Sequence, residues 1–166
     1  MKSVNAEDVT WRNSVPIMAW DFHYEYVKEL KALTVDLEKV NQISNRFTWD
    51  EKELNIKERI KNEVVVVTDL SLRIVFASSG IKKMTGYREE EILGKTPKMF
   101  QGPETSEKDL DEIREALKLR IPFEKTLDNY RKNGKTYKCK INAFPVYNQK
   151  GKISHFIAFE KQDLSA

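Results

Sequence analysis

Between Trp20 and about Ile43 the chain has no glycine or proline, and apolar side chains return at Tyr26, Leu30, Leu33, Leu37 and Val40, with His23 extending the series backwards. Spacings of 4, 3, 4 and 3 place them on one stripe of a helix, a heptad-like seam of about two and a half repeats. Such a stripe either lies on the chain's own sheet or pairs with a second copy. Residues 1–16 are polar, predict little regular structure, and end at Pro16. The run Asn45-Arg46-Phe47-Thr48-Trp49-Asp50 reads as a break, after which Thr48 or Asp50 would cap a second, shorter helix reaching about Asn62.

Beyond Asn62 the period changes. Val64-Val65-Val66-Val67-Thr68 is a β-branched run that predicts a strand, and a turn at Leu70–Leu72 leads to a second strand from Arg73 to Ala77. Short helices follow at Gly80–Thr85 and Arg88–Leu93, with Gly94 as a left-handed stop. Thr96-Pro97 begins another, with Thr as N-cap and Pro in the first turn. A longer helix begins at Ser106, carries Leu110, Ile113, Ala116 and Leu117 on its apolar face, and ends before Pro122. Three strands close the pattern: Phe123–Arg131, Lys135–Tyr147 after the Asn133-Gly134 turn, and Lys152–Lys161. Two strands, a set of small helices and three strands predict an α+β fold, a five-stranded antiparallel sheet with the small helices on one face and an N-terminal helical extension.

Alternation sorts the last two strands into faces. Tyr137, Cys139, Ile141 and Ala143 share one face; Ser154, Phe156, Ala158 and Glu160 share one, and Ile153, His155, Ile157 and Phe159 the other. Both faces of the last strand are largely apolar, so both need a cover. The small helices supply one, and the N-terminal helix, from this chain or a partner's, supplies the other.

With 29 basic against 26 acidic residues, the net charge of +3 gives no footprint for a nucleic acid or an acidic membrane. Cys139 is the only cysteine, so no internal disulfide forms; with no signal-like segment and no long apolar run, the expected compartment is the cytoplasm. His23 and His155 offer no metal-ligand spacing, and no glycine-rich phosphate loop, nucleophile elbow or carboxylate pair can be placed together. No enzyme is expected.

The segments VVVTDLSLRIVFASSG, MTGYREEEILGK, KMFQGPETS, NYRKNGKTY and HFIAFEKQD, in that order, resemble a PAS domain over residues 63–163, leaving 1–62 as a helical extension for dimerisation or sheet cover. The branch it resembles most is LOV, the flavin-binding blue-light sensors, and GKTPKMFQG also occurs in short stand-alone bacterial-type PAS proteins that it resembles. The resemblance implies a sheet curling around a pocket roofed by the small helices. It also implies a cysteine adduct to the flavin, from an Asn-Cys-Arg motif whose positions are here Thr96, Pro97 and Lys98. Proline has no thiol, so that adduct cannot form. Gln101, Arg114 and Asn129 match positions that hold the flavin, while Cys139 and Glu160 stand where the ring would meet an asparagine and a glutamine.

The candidate ligand residues are thus Thr96, Pro97, Lys98, Gln101, Arg114, Asn129, Cys139, Ile141, Phe156 and Glu160. The candidate dimer contacts are Tyr26, Leu30, Leu33, Leu37 and Val40, with Ile157 and Phe159 on the sheet. Each has a plainer reading. Glu160 is either a buried ligand anchor with a raised pKa or a strand end reaching water. Cys139 is either a ligand contact or a small buried hydrophobe. Lys98 and Arg114 either cradle an anion or are solvated, with Arg114 pairing Glu107 or Asp111. The expected function is a non-enzymatic sensory module that binds a small ligand or partner. It would signal through its sheet and N-terminal helix, as a homodimer or to a separate signalling protein. One alternative is a flavin photosensor without the adduct, with FMN as cofactor. Another is a dimerisation module whose pocket is filled by Tyr137, Phe156 and Met99.

Overall fold

The computed structural model describes residues 17–51 and 54–164, so the polar stretch 1–16 lies outside the described residues. The chain divides into two compact units, Met1–Lys31 and Ala32–Ala166. Helix α1 (Ile17–Phe47) begins in the first, where Phe22, Tyr24 and Tyr26 are 75%, 67% and 60% exposed. All other elements belong to the second: α2 (Ile56–Arg59), β1 (Val64–Thr68), β2 (Ile74–Ala77), α3 (Gly80–Thr85), α4 (Glu89–Ile92), a 3-10 turn (Pro97–Phe100), α5 (Glu107–Leu119), β3 (Phe123–Tyr130), β4 (Thr136–Tyr147) and β5 (Ile153–Gln162). The five strands form one antiparallel sheet in the order β2-β1-β5-β4-β3.

α1 ends later than the seam predicts, and Thr48 stops it rather than starting the next helix. Thr48 adopts a left-handed φ of 50°, and the Trp49 amide reaches back to the Ser44 carbonyl at 3.0 Å, a Schellman-type stop built without glycine. The chain then runs beside the β4–β5 turn, with the Asp50 amide donating to Tyr147 and the Gln149 amide to Thr48. The second helix is a single turn, α2, entered through Asn55 at φ 47°, so neither Thr48 nor Asp50 caps it.

Two apolar layers flank the sheet. On one face Val65, Val67, Val146, Ile157 and Phe159 meet Val40, Trp49, Leu54, Ile56 and Ile60, with Leu33, Leu37 and Ile43 packed alongside. The cover for this face therefore comes from the same chain. On the other face Val66, Ile74 and Ala77 meet Ile81, Met84, Ile92 and Phe100 from the small helices, together with Tyr137 and Cys139.

Two polar contacts tie the second-unit part of α1 to the small helices. Asp36, 5% exposed, accepts a hydrogen bond from the Ser79 amide at 2.7 Å, at the start of α3. Lys39 pairs with Glu89 at the start of α4. Burial raises the Asp36 carboxyl above its ordinary range, opposed by the Ser79 bonds, so desolvation offsets part of the bond's worth. Asp36→Ala is expected to cost about 1–2 kcal/mol, near the low end, seen as a lower urea midpoint with an unchanged slope. An unaltered midpoint would reduce this contact to surface decoration.

Candidate functional site

Strand register brings four polar side chains together on the face roofed by the small helices. Asn129 of β3 sits opposite Tyr137 of β4, and Ile141 of β4 sits opposite Glu160 of β5. With Cys139 two residues from Tyr137, alternation turns all of them inward. Asn129, Tyr137, Cys139 and Glu160 are 4%, 6%, 0% and 7% exposed. The Cys139 thiol donates to Glu160 Oε2 at 3.7 Å. Among the described residues the Tyr137 hydroxyl and Asn129 Oδ1 have no hydrogen-bond partner in bonding geometry, although the Asn129 and Cys139 side chains lie close enough to the hydroxyl to act on its titration. Each such buried, unpaired group costs about 1–3 kcal/mol.

Burial sets the charge state of this cluster. It pushes the Glu160 carboxyl up to about 7, with only the Cys139 thiol pulling the other way. It also pushes the Cys139 thiol up, reinforced by Glu160, so the sulfur stays a thiol and is no nucleophile. Tyr137 rises through burial and then through Cys139 and Glu160. The neighbouring cation, Arg131, lies over the Tyr137 ring at 4.5 Å from its centroid. Its guanidinium donates to the Met84 carbonyl and to Gln162, the latter at 2.9 Å, and it does not figure among the groups that set the Glu160 titration. Glu160 is therefore a buried carboxyl with no cation of its own. Ile141 is half-buried beside this layer and supplies apolar wall.

The other expected ligand residues stand at the 3-10 turn, on α5 and further along β5. Thr96 holds the N-cap position of the 3-10 turn, but its side chain makes no capping bond. Thr96 and Lys98 are exposed, while Pro97 and Gln101 are half-buried. Arg114 projects from α5 into ion pairs with Asp111 and, at 3.4 Å, Glu107. Phe156 is half-buried further along β5, opposite Pro145 and Thr68. Tyr137 is the member of the cluster that sequence reasoning left out as a polar group. Its place on the Cys139–Ile141 face was the available signal, but a tyrosine there reads as filler.

Of the expected dimer contacts, Val40, Ile157 and Phe159 are 1%, 0% and 1% exposed within the chain's own core, and Leu33 and Leu37 pack against that core. Only Tyr26 and Leu30, at 60% and 44%, are left on the surface. Among the described residues no helix is long and apolar enough to cross a membrane, and no group of acidic, histidine or cysteine side chains has a metal-holding arrangement. A surface cleft of about 240 Å³ on the α2 side of the sheet is rimmed by charges that pair with one another, Arg59 with Glu63 and Lys140 with Glu124, each at 2.8 Å.

The PAS domain family model matches residues 62–164. Protein TWIN LOV 1 of Arabidopsis thaliana is 35% identical over 139 residues, which is 80% of this chain and 34% of that protein. Phototropin-2 of Oryza sativa subsp. japonica is 37% identical over 106 residues, 62% of this chain and 12% of that protein. The chain thus spans about a third and about an eighth of these relatives. The dark structure of the blue-light photoreceptor Aureochrome1 LOV superposes with a TM-score of 0.63 at 30% identity, covering 68% of this chain and 84% of that one. The order of strands, the roof of small helices and these likenesses agree: the chain belongs to the PAS domain family, in its LOV-like branch.

Proposed function

We propose that this chain is a non-enzymatic sensory module whose ligand is a small molecule held against Asn129, Tyr137, Cys139 and Glu160. The observation that carries this reading is the pair of orphaned buried groups, Asn129 Oδ1 and the Tyr137 hydroxyl, next to an uncompensated carboxyl. A core built only for stability would replace them with apolar groups at no loss. Asp36 and Lys39 supply a route outward, because they join α1 to the starts of α3 and α4, which roof the cluster. A ligand that shifts those helices changes what α1 is held by. The signal passes to a second copy that docks on the exposed Tyr26–Leu30 part of the α1 seam.

Tyr137→Phe tests the reading. It removes a hydroxyl that has no partner, so the ligand-free variant should melt at the same temperature or slightly higher. Retention of any small molecule that co-purifies with the unaltered chain, read by native mass spectrometry, should fall. A variant that keeps its ligand fully would count against the cluster as the site.

A flavin is the second reading, because the LOV relatives bear blue-light photoreceptor names. The ring-edge residues fit it only in part. A flavin presents two carbonyls flanking one N–H; the Asn129 amide and the Tyr137 hydroxyl can donate to carbonyls, while Glu160 is a carboxyl and Cys139 a thiol already donating to it. Position 97 is proline, and Arg114 is engaged by Asp111 and Glu107. A visible spectrum after adding excess FMN and desalting decides: a retained vibronic band near the blue establishes flavin binding, and a flat spectrum leaves a colourless ligand.

A further inference from the structure

We infer that the joint at the end of α1 is an acid-sensitive clasp: protonation of His155 opens its hydrogen-bonded triad with Trp49 and Ser154 and frees residues 44–50 from the β4–β5 end of the sheet, while the rest of the domain stays folded.

Trp49 directly follows the stop of α1 at Thr48 and is 4% exposed. Its indole N–H, a donor only, lies 3.3 Å from both Ser154 Oγ and His155 Nδ1, and those two atoms are 2.6 Å apart. With the imidazole neutral and its proton on Nε2, the bonds form a closed run: the indole donates to the hydroxyl oxygen and the hydroxyl donates to Nδ1. A proton added at Nδ1 reverses the second bond. Two N–H donors then meet at one hydroxyl oxygen, the hydroxyl proton loses its acceptor, and a cation stands at a position 4% exposed.

The surroundings of His155 give that cation little support. Phe47 of α1 meets the imidazole edge-on at 4.5 Å between centroids, and the Arg46 cation lies over the Phe47 ring at 5.5 Å. Val146 of β4 stands opposite, and is apolar. Asp69, just past β1, acts on His155 in the favourable sense, but its carboxylate accepts from the Ser71 and Arg73 amides and forms no ion pair with the imidazole among the described residues. Burial outweighs it, so the imidazole stays neutral to below its ordinary 6.5.

The joint is built to open locally. Thr48 is β-branched at φ 50°, a strained conformation that only its surroundings maintain. Its ties are the Trp49 amide to Ser44, the Asp50 amide to Tyr147 and the Gln149 amide to Thr48, at 3.0, 2.9 and 2.8 Å, with the isolated bridge of Trp49 to Asn148. Phe47 is already 40% exposed. Further up α1, Asp36, Leu37 and Val40 are held by other contacts. Loss of the clasp therefore uncovers the Trp49 side of the layer around Val146 and Ile157 without lifting the whole helix.

The test uses the full chain carrying Trp11→Phe and Trp20→Phe, which leaves Trp49 as the reporting indole. Emission and hydrogen exchange are followed from pH 8 to pH 5. Below pH 6.5 the emission maximum should shift to the red as the indole meets water. The amides of Trp49, Asp50 and Gln149, corrected for the intrinsic pH dependence of exchange, should open about tenfold more often for each pKa unit by which the fold depresses the imidazole, and those of Val64–Thr68 should not. His155→Asn offers an oxygen in place of Nδ1 and never charges, so its clasp should stay shut across the range. Glu160, held up to about 7, titrates in the same range and is common to both proteins. Should His155→Asn fail to fold, Ser154→Ala takes its place: without the hydroxyl that can accept from the imidazolium, the red shift should move to lower pH, and an unmoved shift overturns the inference. Quenching with neither a red shift nor faster exchange means that His155 titrates in place, and also overturns it. So does the same response in His155→Asn, no response at all, or exchange at Val64–Thr68 rising in step, which marks acid unfolding of the whole domain.

Discussion

Glu160→Gln should make the ligand-free protein more stable at pH 8 than the unaltered chain, and the advantage should vanish near pH 4.5. The carboxyl has a folded pKa of about 7 against an ordinary 4.5, raised by burial. A group raised in the fold gives its full stability below the unfolded value and loses it as pH climbs through the folded one. The window is therefore 4.5 to 7, and each pKa unit corresponds to 1.36 kcal/mol, giving about 3 kcal/mol across it. The amide keeps the shape and has no charge to desolvate. His155 acts with the opposite sign, since burial lowers its pKa and stability is lost as pH falls below its ordinary 6.5. It sits elsewhere, between Trp49 and Ser154, and is shared by both proteins. Subtracting the two urea-unfolding curves at pH 4.5, 6 and 8 isolates Glu160. Parallel curves would mean that the carboxyl reaches water in solution, and would remove the anchor from the site.

The strands and the faces they present were legible because β-branched runs and strict alternation are local signals. Val64–Thr68 forms the strand its valines predict, and Tyr137, Cys139 and Glu160 share the inner face that a period of two assigns them. Helix ends were less legible. Thr48 at a positive φ stops α1 in a place where glycine is the usual signal, and α5 is ended by Arg120 at φ 58°. Tertiary packing holds these residues in a conformation that their own chemistry does not announce. The convergence of Asn129 with Glu160 was legible only in part. It needs the register of β3 on β4 and of β4 on β5, and register comes from the whole sheet, not from spacing in the chain. At Arg114 resemblance marks a ligand position, and helix geometry adds a contact the resemblance does not announce: Asp111 lies three residues back, and the pair forms.

Val40→Asp should nearly unfold the protein, while Tyr26→Asp, on the same helical seam, should leave its stability unchanged. Val40 is 1% exposed in a layer with Ile56, Ile157 and Phe159, where the guanidinium against Phe159, that of Arg59, is already paired with Glu63. A carboxylate there is taken out of water into an apolar layer, and should cost about 3–5 kcal/mol. Small domains have about 5–15 kcal/mol in total, so a large share of the molecules would be unfolded or aggregated at 37 °C. Val40→Ala, which only deletes methyl groups, gives a folded protein in which a smaller loss can still be measured. Tyr26 is 60% exposed, and its replacement should move the urea midpoint by no more than about 0.5 kcal/mol. Its effect should appear instead in the molecular mass by light scattering, as a shift from dimer to monomer. If Tyr26→Asp leaves the mass unchanged, the exposed end of the seam is not where a second copy docks. If Val40→Asp melts like the unaltered chain, α1 does not cover the sheet in solution, and the route from the ligand cluster through Asp36 and Lys39 loses its carrier.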